Sequence, residues 1–189
     1  MPFDQSLKKA YQYGLGEYLE IIGELSQEST KKGALSRKSK ELLTLGIAMH
    51  KQCHRCIDIH QQEAVRLEVT SAEFAQLRKI VLYLTLRPGN QGQLQETLDK
   101  AWTEFSLSKG ALSRSLRELL ALGIALVKQN EADIHRHVVA AIKYGATPEE
   151  VYEVLPIALL MDGAPALSQM PVLLEAVQRT QGGHAPVTD

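Results

Sequence analysis

Cys53 and Cys56 are the only two cysteines of the chain, and His60 follows the second by four residues. Steps of three and four place all three side chains on one face of a helix. If that helix begins near Cys53, both sulfurs lie in its first turn. Unpaired backbone N–H groups and the helix dipole favour a thiolate there. His54 and Arg55 add positive charge, and His60, one turn beyond Cys56, can take its proton. Glu41 stands 53 − 41 = 12 residues before Cys53. On a preceding helix packed antiparallel, its carboxylate would meet His60 and orient the imidazole. The set is then a low-pKa nucleophile, a base and an orienter, with a second thiol close enough to form a disulfide.

Plainer readings compete. Free cysteines are often buried as small hydrophobes. The CxxC pair with His54 or His60 supplies three ligands for a structural zinc, and Glu41 could be a fourth, although no second Cys/His pair follows. Glu41 has Arg37 one turn earlier and Glu118 has Arg114, so each could be an ordinary ion-paired helix carboxylate. His137 reads as a buried, hydrogen-bonded histidine; His135 with His137 and Asp133 invites a metal reading, discounted because His135 falls on another helix face; His50 and His184 carry no pattern. Lys31, Lys32, Arg37, Lys38 and Lys40 read as a solvated face.

The elements that position these residues come in duplicate. A shift of 77 lays Lys32–His60 on Lys109–His137, with 17 of 29 positions identical. Glu41 and His60 return as Glu118 and His137, but Cys53 and Cys56 are replaced by Asn130 and Asp133. One repeat therefore holds the complete set and the other its outline.

Both repeats read as helices. Ser36 and Ser113 are N-cap residues ahead of apolar runs, Leu42–Met49 and Leu119–Leu126, which belong in the core. A second helix in each repeat spans about Cys53–Leu67 and Asn130–Tyr144. A third begins at Thr70 and at Thr147, where Pro148 suits the first helical position and Thr147 with Glu150 has capping-box spacing. One or two helices lead from Phe3 to Glu28, broken near Gly14–Gly16. Gly163-Ala164-Pro165 breaks the late run, and a last helix reaches about Gln178. The expected fold class is all-α, a duplicated helical bundle of two pseudo-symmetric repeats. One domain, 1–180, would comprise a redox-active repeat (about 4–86), a linker at Arg87–Gly92 and a degenerate repeat (about 90–180), with a flexible tail at 181–189.

Composition narrows the function. Net charge is −1 and aromatics are 5%, which excludes a generically basic or base-stacking nucleic-acid binder. No apolar run approaches the roughly 18 residues of a membrane span. The opening residues carry Asp4 and no apolar stretch, so a secretory signal is not expected and a cytoplasmic setting is.

Glu41 followed by Cys53-x-x-Cys56-x-x-x-His60, in a duplicated helical chain, resembles the alkylhydroperoxidase D proteins of the carboxymuconolactone decarboxylase-like superfamily. The likeness extends over about Asp4–Gln178. It departs from the pattern at Arg55, where relatives often carry His or Tyr, and in having the motif in the earlier repeat. The resemblance implies a thiol-dependent peroxidase or thiol–disulfide oxidoreductase with no cofactor. Cys56 would be the peroxidatic cysteine, Cys53 the resolving thiol, and His60 with Glu41 the proton relay. The implied partners are a hydroperoxide and a dithiol reductant of lipoyl type, with no nucleic acid or membrane, in a homo-oligomer, a trimer or a hexamer. The alternatives are a non-catalytic redox-sensing or assembly scaffold, or a carboxymuconolactone decarboxylase-type enzyme; the related decarboxylases generally lack the cysteine pair.

Overall fold

The computed structural model describes residues 3–86 and 92–182. Among these residues there are helices and no strands. A leading helix α1 (Phe3–Gln12) precedes the first repeat, α2 (Gly16–Thr30), α3 (Arg37–His50), α4 (His54–Arg66) and α5 (Ser71–Leu86). The second repeat is α6 (Gly92–Leu107), α7 (Arg114–Val127), α8 (Glu131–Lys143), α9 (Pro148–Tyr152) and α10 (Val154–Asp162), followed by α11 (Ala164–Leu167) and α12 (Met170–Gln181). The architecture is the all-α duplicated bundle that the sequence predicts. Most of the expected linker and tail lies outside the described residues, while Gly92 begins α6 and Gln181 ends α12.

Local sequence sets most helix ends. Ser36 Oγ accepts the Ser39 amide at 3.0 Å and Ser113 Oγ the Leu116 amide at 3.2 Å. Thr147 and Glu150 form a reciprocal capping box, and Thr70 and Glu73 make the same pair of bonds. One expectation needs correction. The third helix of the second repeat is not continuous but divides into α9 and α10 at Glu153. Pro156 is the cause: it has no N–H for the Tyr152 carbonyl, and its ring crowds that carbonyl. α5 carries Lys79 at the matching place and runs unbroken.

The centre is the crossing of α3 and α7, buried over Lys40–Ala48 and Arg117–Val127. Glycines make the close approach possible. A Cβ on Gly123 would lie 2.9 Å from Cδ1 of Ile47, and one on its counterpart Gly46 would strike Leu120. Leu43, Leu77 and Ile80 of the first repeat join Leu120, Leu122 and Val154 of the second in one continuous apolar cluster.

Two mirrored grips tie the repeats together. Glu153 accepts the amides of Ala34 and Leu35, at 2.9 and 2.8 Å, and pairs with Lys40 at 3.2 Å. Its counterpart Gln76 accepts the Leu112 amide at 2.7 Å. Arg117, the counterpart of Lys40, donates to the carbonyls of Leu112, Phe105, Ser106 and Ser108 at 2.9–3.1 Å. Each KGALS loop is thus held by a side chain of the other repeat. Lys40 therefore does not belong to the solvated face expected for it. It is 3% exposed, because Glu153 reaches across to neutralise it, whereas Lys31, Lys32 and Arg37 are exposed.

Candidate functional site

α3 ends and α4 begins within a few residues, and that turn positions the cysteines. The amides of Gln52 and Cys53 return to the carbonyls of Met49 and Ala48, both at 3.1 Å. This closure puts Gln52 in the left-handed region, φ 56°. Gln129 takes φ 53° at the same point of the cysteine-free repeat. The turn therefore belongs to the fold and not to the redox chemistry.

Cys53 is the N-cap residue of α4 and Cys56 lies in its first turn. The two are joined in a disulfide with Cα atoms 5.3 Å apart. Both are half-buried, so neither is a core hydrophobe. Among the described residues no three His, Cys, Asp or Glu side chains gather to hold a metal ion.

The antiparallel return of α4 along α3 brings His60 to Glu41, with Nδ1 2.8 Å from Oε2. The side chains are 12% and 4% exposed. An ionised carboxylate only accepts, so Nδ1 carries a proton, and in the neutral imidazole Nε2 is the nitrogen with the lone pair. The arrangement can hold a neutral imidazole in one tautomer, on a residue one helical turn beyond Cys56. Arg37 does not take Glu41; it donates to Glu63 at 2.7 Å. Arg114 likewise donates to the Leu107 carbonyl at 2.8 Å and leaves Glu118 to His137. Both carboxylates face the next helix, while the arginines one turn earlier stand at the surface.

Near the end of α3, Lys51 pairs with Asp162 and His50 shares a hydrogen bond with Thr85 at 2.9 Å. Burial lowers the His50 pKa, the nearby Lys128 and Lys51 ammonium groups lower it further, and Asp162 opposes them.

The second repeat is an internal control. His137 Nδ1 lies 2.7 Å from Glu118 Oε2. Here Trp102 closes the pair: its indole N–H points at Glu118 at 3.4 Å and its ring meets the His137 ring edge-on at 5.5 Å. Ser106 donates to the other Glu118 oxygen. His137 is 1% exposed, and its Nε2 has no hydrogen-bond partner among the described residues. Asn130 caps α8 through the Asp133 amide, and Asp133 pairs with Arg136.

In the first repeat the corresponding space is open. Ser26, Gln27 and Thr30 of α2, Arg37 and Glu41 of α3, and Ile59, His60, Gln62, Glu63 and Arg66 of α4 line a groove of about 310 Å³. The motif spacing did not reveal this groove. The signal in the sequence was the contrast between repeats: Glu63 is matched by Ala140 and Leu25 by Trp102.

The family model described as carboxymuconolactone decarboxylase family matches residues 16–85 and again 93–175. The two matches start 93 − 16 = 77 residues apart, the same shift that superposes the repeats. No curated protein and no solved structure matches the chain.

Proposed function

The chain belongs to the carboxymuconolactone decarboxylase family, and from that premise we propose that it is a thiol-dependent peroxidase. The observation that carries the reading is the Cys53–Cys56 disulfide at the start of α4, one turn from a histidine oriented by a buried carboxylate.

The cycle starts from the dithiol. His60 takes the Cys56 proton at Nε2, and the imidazolium is stabilised by Glu41. The Cys56 thiolate attacks the terminal oxygen of a hydroperoxide. An S–O bond forms, the O–O bond breaks, and the alkoxide leaves as an alcohol with the proton held on His60. Cys56 is then a sulfenic acid. The Cys53 sulfur attacks it, the disulfide forms and water leaves. A dithiol donor, by the resemblance a lipoyl group, restores both thiols through a mixed disulfide and departs as its own disulfide. Each turnover consumes one hydroperoxide and two donor thiols and yields one alcohol, one water and one donor disulfide. A cytoplasmic setting fits this cycle, because thiols are kept reduced there.

Cys56 is assigned as nucleophile because it lies one helical turn from His60, whereas Cys53 lies seven residues away, and because Arg55 precedes it directly. The test follows peroxide consumption with a panel of dithiol donors, wild type beside Cys56→Ser. Turnover that needs a dithiol and is lost in the variant is expected; no consumption with any donor would overturn the proposal. Stoichiometric peroxide should give a trapped sulfenic acid at Cys56 in Cys53→Ser. Labelling of Cys53 in a Cys56→Ser variant that keeps its full first-turnover rate would reverse the assignment.

A further inference from the structure

We infer that the groove between α2, α3 and α4 is a binding site for a small amphiphilic anion, seated with its charged head at the rim and its uncharged body against the Glu41–His60 pair. This goes beyond the thiol chemistry and does not require it, since neither cysteine lines the groove.

The argument begins with the asymmetry between the repeats. The same two helices carry the same Glu–His bond in both. In the second repeat Trp102 and Ser106 fill the space beside it and exclude solvent. In the first, Leu25 stands at the position of Trp102 without lining the groove, and the Glu41–His60 pair borders a cavity of about 310 Å³, at the small end of the ligand-pocket range. The open groove thus accompanies the repeat that keeps the cysteines.

Charge decides what would occupy it. At the rim, Glu63 is shared by two guanidinium groups, Arg37 at 2.7 Å and Arg66 at 3.1 Å. Two cations and one anion leave a net +1. Glu63 takes one N–H from each arginine, and a guanidinium carries five, arranged in a fork that suits a planar anion. The rim side chains of Arg37 and Arg66 are 55% and 73% exposed, free to swing toward a second acceptor. The floor has the opposite character. Glu41 is buried there and paired with His60, and a second anion beside it would be repelled. The Thr30 hydroxyl is spent on the Ser26 carbonyl at 2.7 Å, and Ile59 adds an apolar side chain. An uncharged body therefore fits inward and an anionic head outward.

The test uses the full-length disulfide form, with hexanoate and hexane-1-sulfonate as anionic probes and hexanamide as the uncharged match. Binding is followed by NMR through the His60 ring nitrogens and the arginine Nε resonances. Both anions should shift these signals and bind about tenfold more tightly than hexanamide. The double variant Arg37→Gln/Arg66→Gln should bring all three within about twofold of one another. Glu63→Gln, which removes the competing carboxylate, should tighten anion binding severalfold, and it keeps the test decisive should the double variant unfold. Equal affinity for hexanoate and hexanamide in wild type, or anion binding unmoved by Glu63→Gln, would overturn the inference. Because the readout is binding at the relay and not turnover, its failure is separable from failure of the peroxidase reading.

Discussion

Glu41 and Glu118 each accept a bond from a histidine 19 residues further on, yet their replacement should show in different measurements. Three donors converge on Glu118: His137 Nδ1–H, the Trp102 indole and the Ser106 hydroxyl. Glutamine there keeps one acceptor oxygen for the His137 and Trp102 N–H groups, and its NH₂ would make the Ser106 hydroxyl turn from donor to acceptor and lose its charged partner. Glu118→Gln should cost about 2–3 kcal/mol in urea unfolding, with peroxide turnover unchanged. Glu41→Gln should leave the unfolding midpoint near wild type and slow the first turnover with peroxide. His60→Ala should slow that step by about 10²–10⁴, read by stopped flow on the reduced protein. An unaltered first-turnover rate in His60→Ala would remove the histidine from the mechanism. Glu41, Cys53, Cys56 and His60 were legible as a set because helical spacing is a local rule and the second repeat displays the same frame with the sulfurs missing. Lys40 and Glu63 were not legible. Whether a charged side chain is buried or lines a groove depends on a partner, and Glu153, which buries Lys40, belongs to the other repeat.

At the scale of the helix, two residues after α4 and α8 invite comparison. Glu68 sits at φ 58° where the second repeat has Gly145 at φ 100°. A side chain in that region carries a steric cost that glycine escapes. Glu68→Gly should raise stability by about 0.5–1 kcal/mol, a gain reduced by the freer unfolded chain; a lower urea midpoint would refute it. The grip at Glu153 has a pH signature. Burial pushes its carboxyl up, but the Leu35 and Ala34 amides and the Lys40 ammonium outweigh burial and hold it below the ordinary carboxylate range. A depressed folded value contributes stability that is complete above the unfolded pKa and is lost as pH falls through the folded one. Wild type should therefore weaken on acidification below about pH 4.5, and Glu153→Gln should show less of that loss. At neutral pH the same substitution, which imitates Gln76, should cost about 2–3 kcal/mol by leaving Lys40 buried without its counter-charge. Caps and helix starts were readable because Ser36, Ser113 and Thr147 act within four residues. The division into α9 and α10 was just as local, written in Pro156, but the apolar run around that proline concealed it.

For the molecule as a whole, the outer face of α1 and α2 is the place to look for assembly. Tyr13, Tyr18 and Ile21 are 79%, 67% and 60% exposed, and Tyr11, Leu15 and Ile22 join them. Residues of this kind in one region fit a surface covered by another chain. Light scattering at micromolar concentration should give a mass above 20.9 kDa, and Tyr18→Glu with Ile21→Glu should lower it; a monomer mass for the wild type would end the expectation of a homo-oligomer. The crossed grips have a bearing on ancestry. A chain of one repeat would leave the amides of its Gly-Ala-Leu loop without the acceptor that Glu153 or Gln76 now supplies, so a half-length forebear needed a sister molecule to supply it. Duplication and fusion made that contact internal and permanent. From then on the two relays were inherited as separate characters, and one could keep its sulfurs and its open groove while the other closed beneath a tryptophan.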